Sequence, residues 1–313
     1  MEKRAILYNI AIIFFGIFIE AFPFLMIGVI ISSLITVFVK AETIGRFFPE
    51  GALRGIPAAL VIGFAVPVCE CGNIPVARGL LAKGAGPGPV ITFLLAAPVF
   101  NPIVIIATVA AFPGRPEITW LRVGFTAIIA VVAGALFLGK TNEDVCREEF
   151  IRSLDGGVGH DPAKTAIETN GAEGSGGEKV TVRLLEAVFV ARDELFYVTR
   201  FLAAGALIAA LFRTVLPQRW ILDLGQGPVW SIVAMIIMAF VVSMCSNVDA
   251  FFAAVFAETF TTGSLLAFLV FGPMIDVKAV SMLYSTLKVS AIVRLTLIVL
   301  VLTFLLSLAV NIL

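Results

Sequence analysis

The 313 residues are 60% hydrophobic and only 14% charged, and their mean hydropathy is +1.05. About a quarter of a soluble domain is charged, so this chain has too few polar residues to cover a water-soluble globule. Lysine and arginine (22) balance aspartate and glutamate (22), which gives no electrostatic argument for nucleic acid; four cysteines and one histidine exclude a disulfide scaffold and a His-rich metal domain.

The apolar residues come in runs of roughly 20, enough to cross about 30 Å of hydrocarbon as helix. The runs are continuous and rich in Leu, Ile, Ala and Phe, without the alternation of a barrel strand. The expected fold class is an all-α integral membrane protein, multi-pass in the plasma membrane and in contact with the lipid bilayer.

In chain order, Met1 to Arg4 are followed by an apolar run to Val39, too long for a signal peptide and with no small-residue cleavage site. Residues 6–39 would span about 50 Å as one helix. With Glu20 and Pro23 in the middle, they divide into an interfacial helix to Ile19 and a spanning helix over 20–39. A polar connection over 40–54 leads to a run over 53–81, interrupted by Pro67-Val-Cys-Glu-Cys-Gly-Asn-Ile-Pro75. Residues 84–89 are a turn. A third run, 90–112, is interrupted at Pro98 and at Asn101-Pro102, and a fourth spans 118–138.

Residues 140–181 are charged and rich in Gly and Ser, so they read as a flexible linker between repeats over 1–139 and 182–313. His160, in that linker, reads as a solvated side chain, and Cys146 as incidental. Residues 182–197 are amphipathic and read as a surface helix matching 6–19. Spans follow at 196–216, 229–245, 264–287 and 292–312, for about eight crossings, four per half.

The halves share more than apolar composition. Cys71, Gly72 and Asn73 are matched by Cys245, Ser246 and Asn247. Further on, Phe93-Leu-Leu-Ala-Ala-Pro98-Val-Phe-Asn101 is matched by Phe268-Leu-Val-Phe-Gly-Pro273-Met-Ile-Asp276. Internal repeats of this kind are common in secondary transporters, with the substrate site at the repeat interface. Four crossings per half imply parallel copies; if the Cys segments are extra crossings, the copies are inverted. Basic residues at the N-terminus and in the linker place the linker and both termini in the cytoplasm.

Prolines 67, 75, 98 and 102 remove backbone donors inside apolar runs and should break the helices there. Broken helices persist in a bilayer where they line a cavity, and their ends offer backbone groups to a solute. Asn73, Asn101, Asn247 and Asp276 sit at the breaks or their repeat equivalents, either as helix caps or as site residues. Glu70, Asp249, Glu258 and Asp276 are candidates for ion or proton coupling, although Lys278 could instead hold Asp276 in a structural pair. Cys69, Cys71 and Cys245 are the chemically distinctive set: converging thiolates would suit Cu(I), Zn(II) or trivalent arsenic, while lone cysteines also serve as small apolar filler.

No nucleotide loop, zinc-protease motif or nucleophile elbow is present, so the chain reads as a non-enzyme without a cofactor. Gradient-driven flux is the economical energy source. A channel, a thiol–disulfide relay through Cys69 and Cys71, and a non-transporting subunit of a larger complex are the alternatives, and a homo-oligomer is compatible with each.

Residues 67–80, with Pro-x-Cys-x-Cys, and 93–104, with Ala-Pro-x-x-Asn-Pro, resemble a family of predicted permeases. That family includes organoarsenical efflux permeases and copper/zinc efflux transporters. The resemblance implies a multi-helix efflux permease with the Cys segment near its substrate. Glu70 stands between the cysteines where a small residue such as Ser is expected, which would also suit a divalent cation. The second half carries only Cys245, so these motifs do not supply four sulfurs.

Overall fold

The computed structural model describes residues 2–48, 53–66, 68–155, 176–215 and 227–312. Pro67 and His160 lie outside the described residues. Regular structure among the described residues is helical, with one isolated bridge between Cys146 and Leu287.

The first helix, α1 (Glu2–Phe38), runs through Glu20 and Pro23 without a break. The expected division at residue 19 is therefore corrected. Pro23 deletes one backbone bond, and hydrocarbon offers no other partner to its neighbours, so they stay helical. Next come α2 (Ala41–Phe47), α3 (Gly55–Ala65), α4 (Glu70–Ala82), α5 (Pro87–Phe100), α6 (Pro102–Ala111) and α7 (Pro116–Phe137). Pro75 and Pro98 sit inside α4 and α5 rather than ending them. The breaks fall instead at 66–69 and at Asn101, where α5 and α6 bend by 42°.

Two short helices, α8 (Asn142–Val145) and α9 (Glu148–Asp155), occupy the start of the stretch read as linker. They are docked. The Arg147 amide donates to Thr286 O (2.9 Å), the Lys288 amide donates to Val145 O (2.9 Å), and Cys146 is buried.

The second half begins with α10 (Gly176–Val215), one helix where a surface helix and a separate span were expected. Then follow α11 (Pro228–Val242), α12 (Asp249–Ala254), α13 (Thr262–Met274), α14 (Val277–Leu283) and α15 (Val289–Ile312). Ser243, with φ 49°, turns the chain out of α11.

Among the described residues five helices are long and apolar enough to cross a membrane, or six if the bent α5–α6 pair is one span. The expected count of about eight took the two cysteine segments as crossings. Their apolar helices, Gly55–Ala65 and Val229–Val242, are shorter than a span. At 1.5 Å per residue, 11 residues reach only about 16 Å.

Contacts fix the directions of these helices. α4 runs beside α1 in the same sense, with Gly72 against Gly28 and Gly79 against Ser32. The Gly86 amide donates to Phe48 O (3.1 Å), so the chain leaves α4 at the end where it entered α3. α10 runs antiparallel to α1: Ile17 packs with Ala206 and Ala209, while Ser32 donates to Glu194 (2.8 Å).

Residues 145–147 dock at the start of α15, whereas Asn311, at its far end, accepts from the Gly263 amide (3.0 Å). The start of the linker and the end of α15 thus lie at opposite ends of the bundle. Charge counts along the sequence carry no information on where a re-entrant segment reverses the chain.

Candidate functional site

The breaks in the two halves meet deep in the bundle. Cys69 is extended at the N-terminal cap of α4, and Cys71 lies in that helix's first turn. Cys245 sits in the irregular segment after Ser243. All three are buried and free. The Cys69 thiol interacts with the side chains of both Cys245 and Cys71. Donor atoms of Cys69, Glu70 and Cys245 lie within 4.8 Å of one another. Sulfurs in a tetrahedral zinc site are about 3.8 Å apart, from Zn–S bonds of about 2.3 Å. Closure onto one ion therefore takes less than about 1 Å of movement per donor.

Lys278 of α14 reaches this cluster from the second half. Its Nζ lies 2.9 Å from Glu70 Oε1 and 3.8 Å from Asp276 Oδ2, with both partners buried. Lys278 does pair with Asp276, but its shorter contact is to Glu70. Asp276 also caps α14, accepting from the Ala279 amide.

Several polar atoms around the thiols have no hydrogen-bond partner: Glu70 Oε2, both amide atoms of Asn73, Asp276 Oδ2 and Asn247 Oδ1. Buried polar atoms are almost always paired, so these five leave hydrogen-bonding capacity beside the thiols that the side chains around them do not take up.

The remaining candidates separate from that cluster. Asn101 is committed as the cap of α6, its Oδ1 accepting from the Ile103 amide (2.9 Å). Asp249 is bound to Arg122 of α7 (2.6 Å), and Arg122 also donates to Thr108 (2.8 Å). Glu258 is exposed in the turn over 255–259.

A further polar network lies toward the linker end. Arg78 of α4 faces Glu194 of α10 (3.4 Å) and donates to Thr286 (3.0 Å) and Ser285 O (3.1 Å). Its guanidinium lies over the rings of Phe150 (4.7 Å) and Tyr197 (4.9 Å).

The family model described as "Predicted permease" matches residues 6–312. The chain belongs to that permease family. It is 36% identical over 276 residues to the UPF0718 protein YcgR of Bacillus subtilis, covering 88% of each chain. It is 31% identical over 282 residues to a Streptococcus mutans protein named "Putative two-component membrane permease complex subunit", covering 90% of this chain and 88% of that one. No solved structure matches the chain.

For a multi-pass permease of this family, the charged residues to which the sequence reading gave no site role are informative. Arg78, Arg122 and Glu194 are all buried or nearly so. Their signal was available, because Arg122 interrupts the apolar run 118–138 and a cation inside a span is costly. A sequence does not say which acid each one meets.

Proposed function

We propose that this permease moves a soft metal ion or metalloid compound out of the cell, driven by an ion or proton gradient, through a site formed where its two halves meet. The observation that carries the reading is the approach of the Cys69, Glu70 and Cys245 donors to within 4.8 Å, from segments 175 positions apart in the chain. Soft ions select thiolates, and a carboxylate oxygen completes a mixed site for Zn(II). Cys71 supplies a third sulfur, and Asn73 and Asn247 shape the site. Asn101 holds the α5–α6 break, and Glu70 and Asp276 handle coupling charge through Lys278. Asp249 belongs to its pair with Arg122, and Glu258, exposed in its turn, is set aside.

The architecture behind this site is an inverted repeat. Each half would contribute three spans, one of them bent or capped at its centre, and one re-entrant hairpin tipped by cysteine. Antiparallel packing of α1 and α10, at positions the sequence repeat makes equivalent, supports this over parallel copies. The matched close approaches of Gly63 to Ala97 and of Gly272 to Ala239 point the same way. Lys40, Arg46, Lys83, Lys140, Arg147 and Lys288 belong to segments at the linker end, against Arg4, Arg115 and Arg213 toward the other. The positive-inside rule then puts the linker end in the cytoplasm and both termini outside. The printed description of the Streptococcus relative makes a partner subunit an alternative to a homo-oligomer.

The test is calorimetric titration of the purified, reduced protein with Zn(II), Cu(I) and trivalent arsenicals, beside a variant carrying Cys69→Ser, Cys71→Ser and Cys245→Ser. Binding to the native protein that vanishes in the variant is expected. Equal binding to both proteins, or binding to neither, refutes the thiol site.

A further inference from the structure

Two ion pairs, Arg122–Asp249 buried and Arg78–Glu194 largely so, flank the thiol cluster, one toward each end of the bundle. Arg78–Glu194 lies on the linker side: Arg78 also bonds Thr286, two residues before the Lys288 whose amide donates to Val145. Arg122–Asp249 lies on the terminal side. Arg115, two turns earlier on the approach to α7, donates to Thr262 (2.8 Å), and the neighbouring Gly263 bonds Asn311. Cys71 precedes Arg78 by seven residues on α4, about 10 Å along the helix, and Cys245 precedes Asp249 by four.

Both pairs have the same construction. Arg78 and Arg122 come from the first half, and Glu194 and Asp249 from the second. Arg78 rides on the half-helix that Cys69 caps, and Asp249 opens the half-helix that follows Cys245. Movement of a cysteine-bearing tip therefore loads one pair directly. Each pair is also held from the side: Ser32 donates to Glu194, Arg122 donates to Thr108, and Phe150 of α9 covers Arg78.

We infer that Arg78–Glu194 and Arg122–Asp249 are the two gates of the transport path, each closing one end of the bundle over the thiol cluster. This rests on the transport reading above, but not on the identity of the cargo. Breaking a buried pair by removing one partner leaves an uncompensated charge, which biases that end toward a hydrated, open arrangement. The gates carry opposite sidedness, and that is what an experiment can read.

The experiment uses the full chain with Cys146→Ser, in right-side-out and inverted membrane vesicles, treated with a membrane-impermeant maleimide. Labelling of Cys69, Cys71 and Cys245 is read by peptide mass. Arg78→Gln should raise labelling about tenfold or more from the linker face alone, and Arg122→Gln by a similar factor from the terminal face alone. Glu194→Gln, which removes the partner from the other half, must reproduce the sidedness of Arg78→Gln; a local packing defect at Arg78 would not. Unchanged labelling, labelling raised from both faces at once, or disagreement between Glu194→Gln and Arg78→Gln overturns the inference. Sided labelling in a protein that binds no soft ion would keep the gates and discard the cargo. Soft-ion binding without sided labelling would do the reverse.

Discussion

Lys278 is the cation on which the site's charge balance turns, and Lys278→Met is the sharpest way to test it. Its ammonium and the Glu70 carboxylate are 3% and 4% exposed and 2.9 Å apart, with Asp276 Oδ2 at 3.8 Å from the same nitrogen. Methionine keeps the length of the side chain and removes the charge, leaving Glu70 and Asp276 buried without their cation. Removing one partner of a buried pair costs about 3–5 kcal/mol. For a chain of this size about 2 °C of melting temperature corresponds to each kcal/mol, so a fall of about 6–10 °C is expected. Adding Glu70→Gln should recover much of that loss, because a neutral amide no longer needs the ammonium. The assay is a double-mutant cycle by thermal unfolding in one detergent at fixed protein concentration. Two single losses that simply add in the double variant would refute the pair as the closing contact of the site. The same charge logic has Lys278→Met bind a soft cation more tightly than the native protein, because a resident cation has left the site.

Two more predictions follow from particular contacts. A Cβ on Gly28 would lie well inside ordinary contact with the Gly72 backbone, so Gly28→Ala must push α4 and its cysteines off α1. Overpacking of this kind costs about 1–3 kcal/mol; soft-ion binding should fall with the melting temperature, while Gly124→Ala, with nothing within 4 Å, leaves both unchanged. Burial pushes the Cys146 thiol up to about 12, against weaker opposing effects of Arg78 and Lys288. The folded state then holds this proton more tightly than the unfolded chain, so its contribution is complete below the ordinary thiol range near 9 and is lost as pH rises toward 12. Melting of the native protein should therefore fall below that of Cys146→Ala progressively between those pH values, and parallel pH curves for the two proteins would refute it.

The helical class and the approach of Cys69 to Cys245 were legible because each follows from local rules: run length in lipid, and matched residue types in two places; Glu70, read as a coupling residue, joins their donors in place of Cys71. Asn101 was also readable as a cap. The path of the chain was not. A run such as 53–81 has the composition of a crossing from end to end, and only the return of Gly86 to Phe48 shows that it turns back. Glu20 and Pro23 misled in the other direction. Each is a plausible boundary in water, yet inside hydrocarbon the helix is the one arrangement that leaves its backbone paired. The partner of Asp249 and the nearer partner of Lys278 were illegible for a third reason: Arg122 and Glu70 lie 127 and 208 positions away in sequence, whereas Asp276, two residues from Lys278, was readable.

In the proposed architecture, the reversal of the cysteine segments is what would let a site of this kind exist in a bilayer. A straight helix through the same residues would spend its backbone groups on itself and present side chains singly. A half-helix that begins at Cys69 leaves its first amides unpaired within the helix and turns its positive end toward the cluster, where anionic donors are favoured. Pro75 extends this by withholding the N–H that would otherwise bond the Cys71 carbonyl. The unpartnered atoms of Glu70, Asn73 and Asp276 then surround the thiols with polarity that the protein itself does not satisfy. A bound cation would satisfy them only while both tips are together. On the proposed reading, loading the site and holding the halves in register are one event, and the inferred gates at the arginine pairs set which end of the bundle opens when that event is undone.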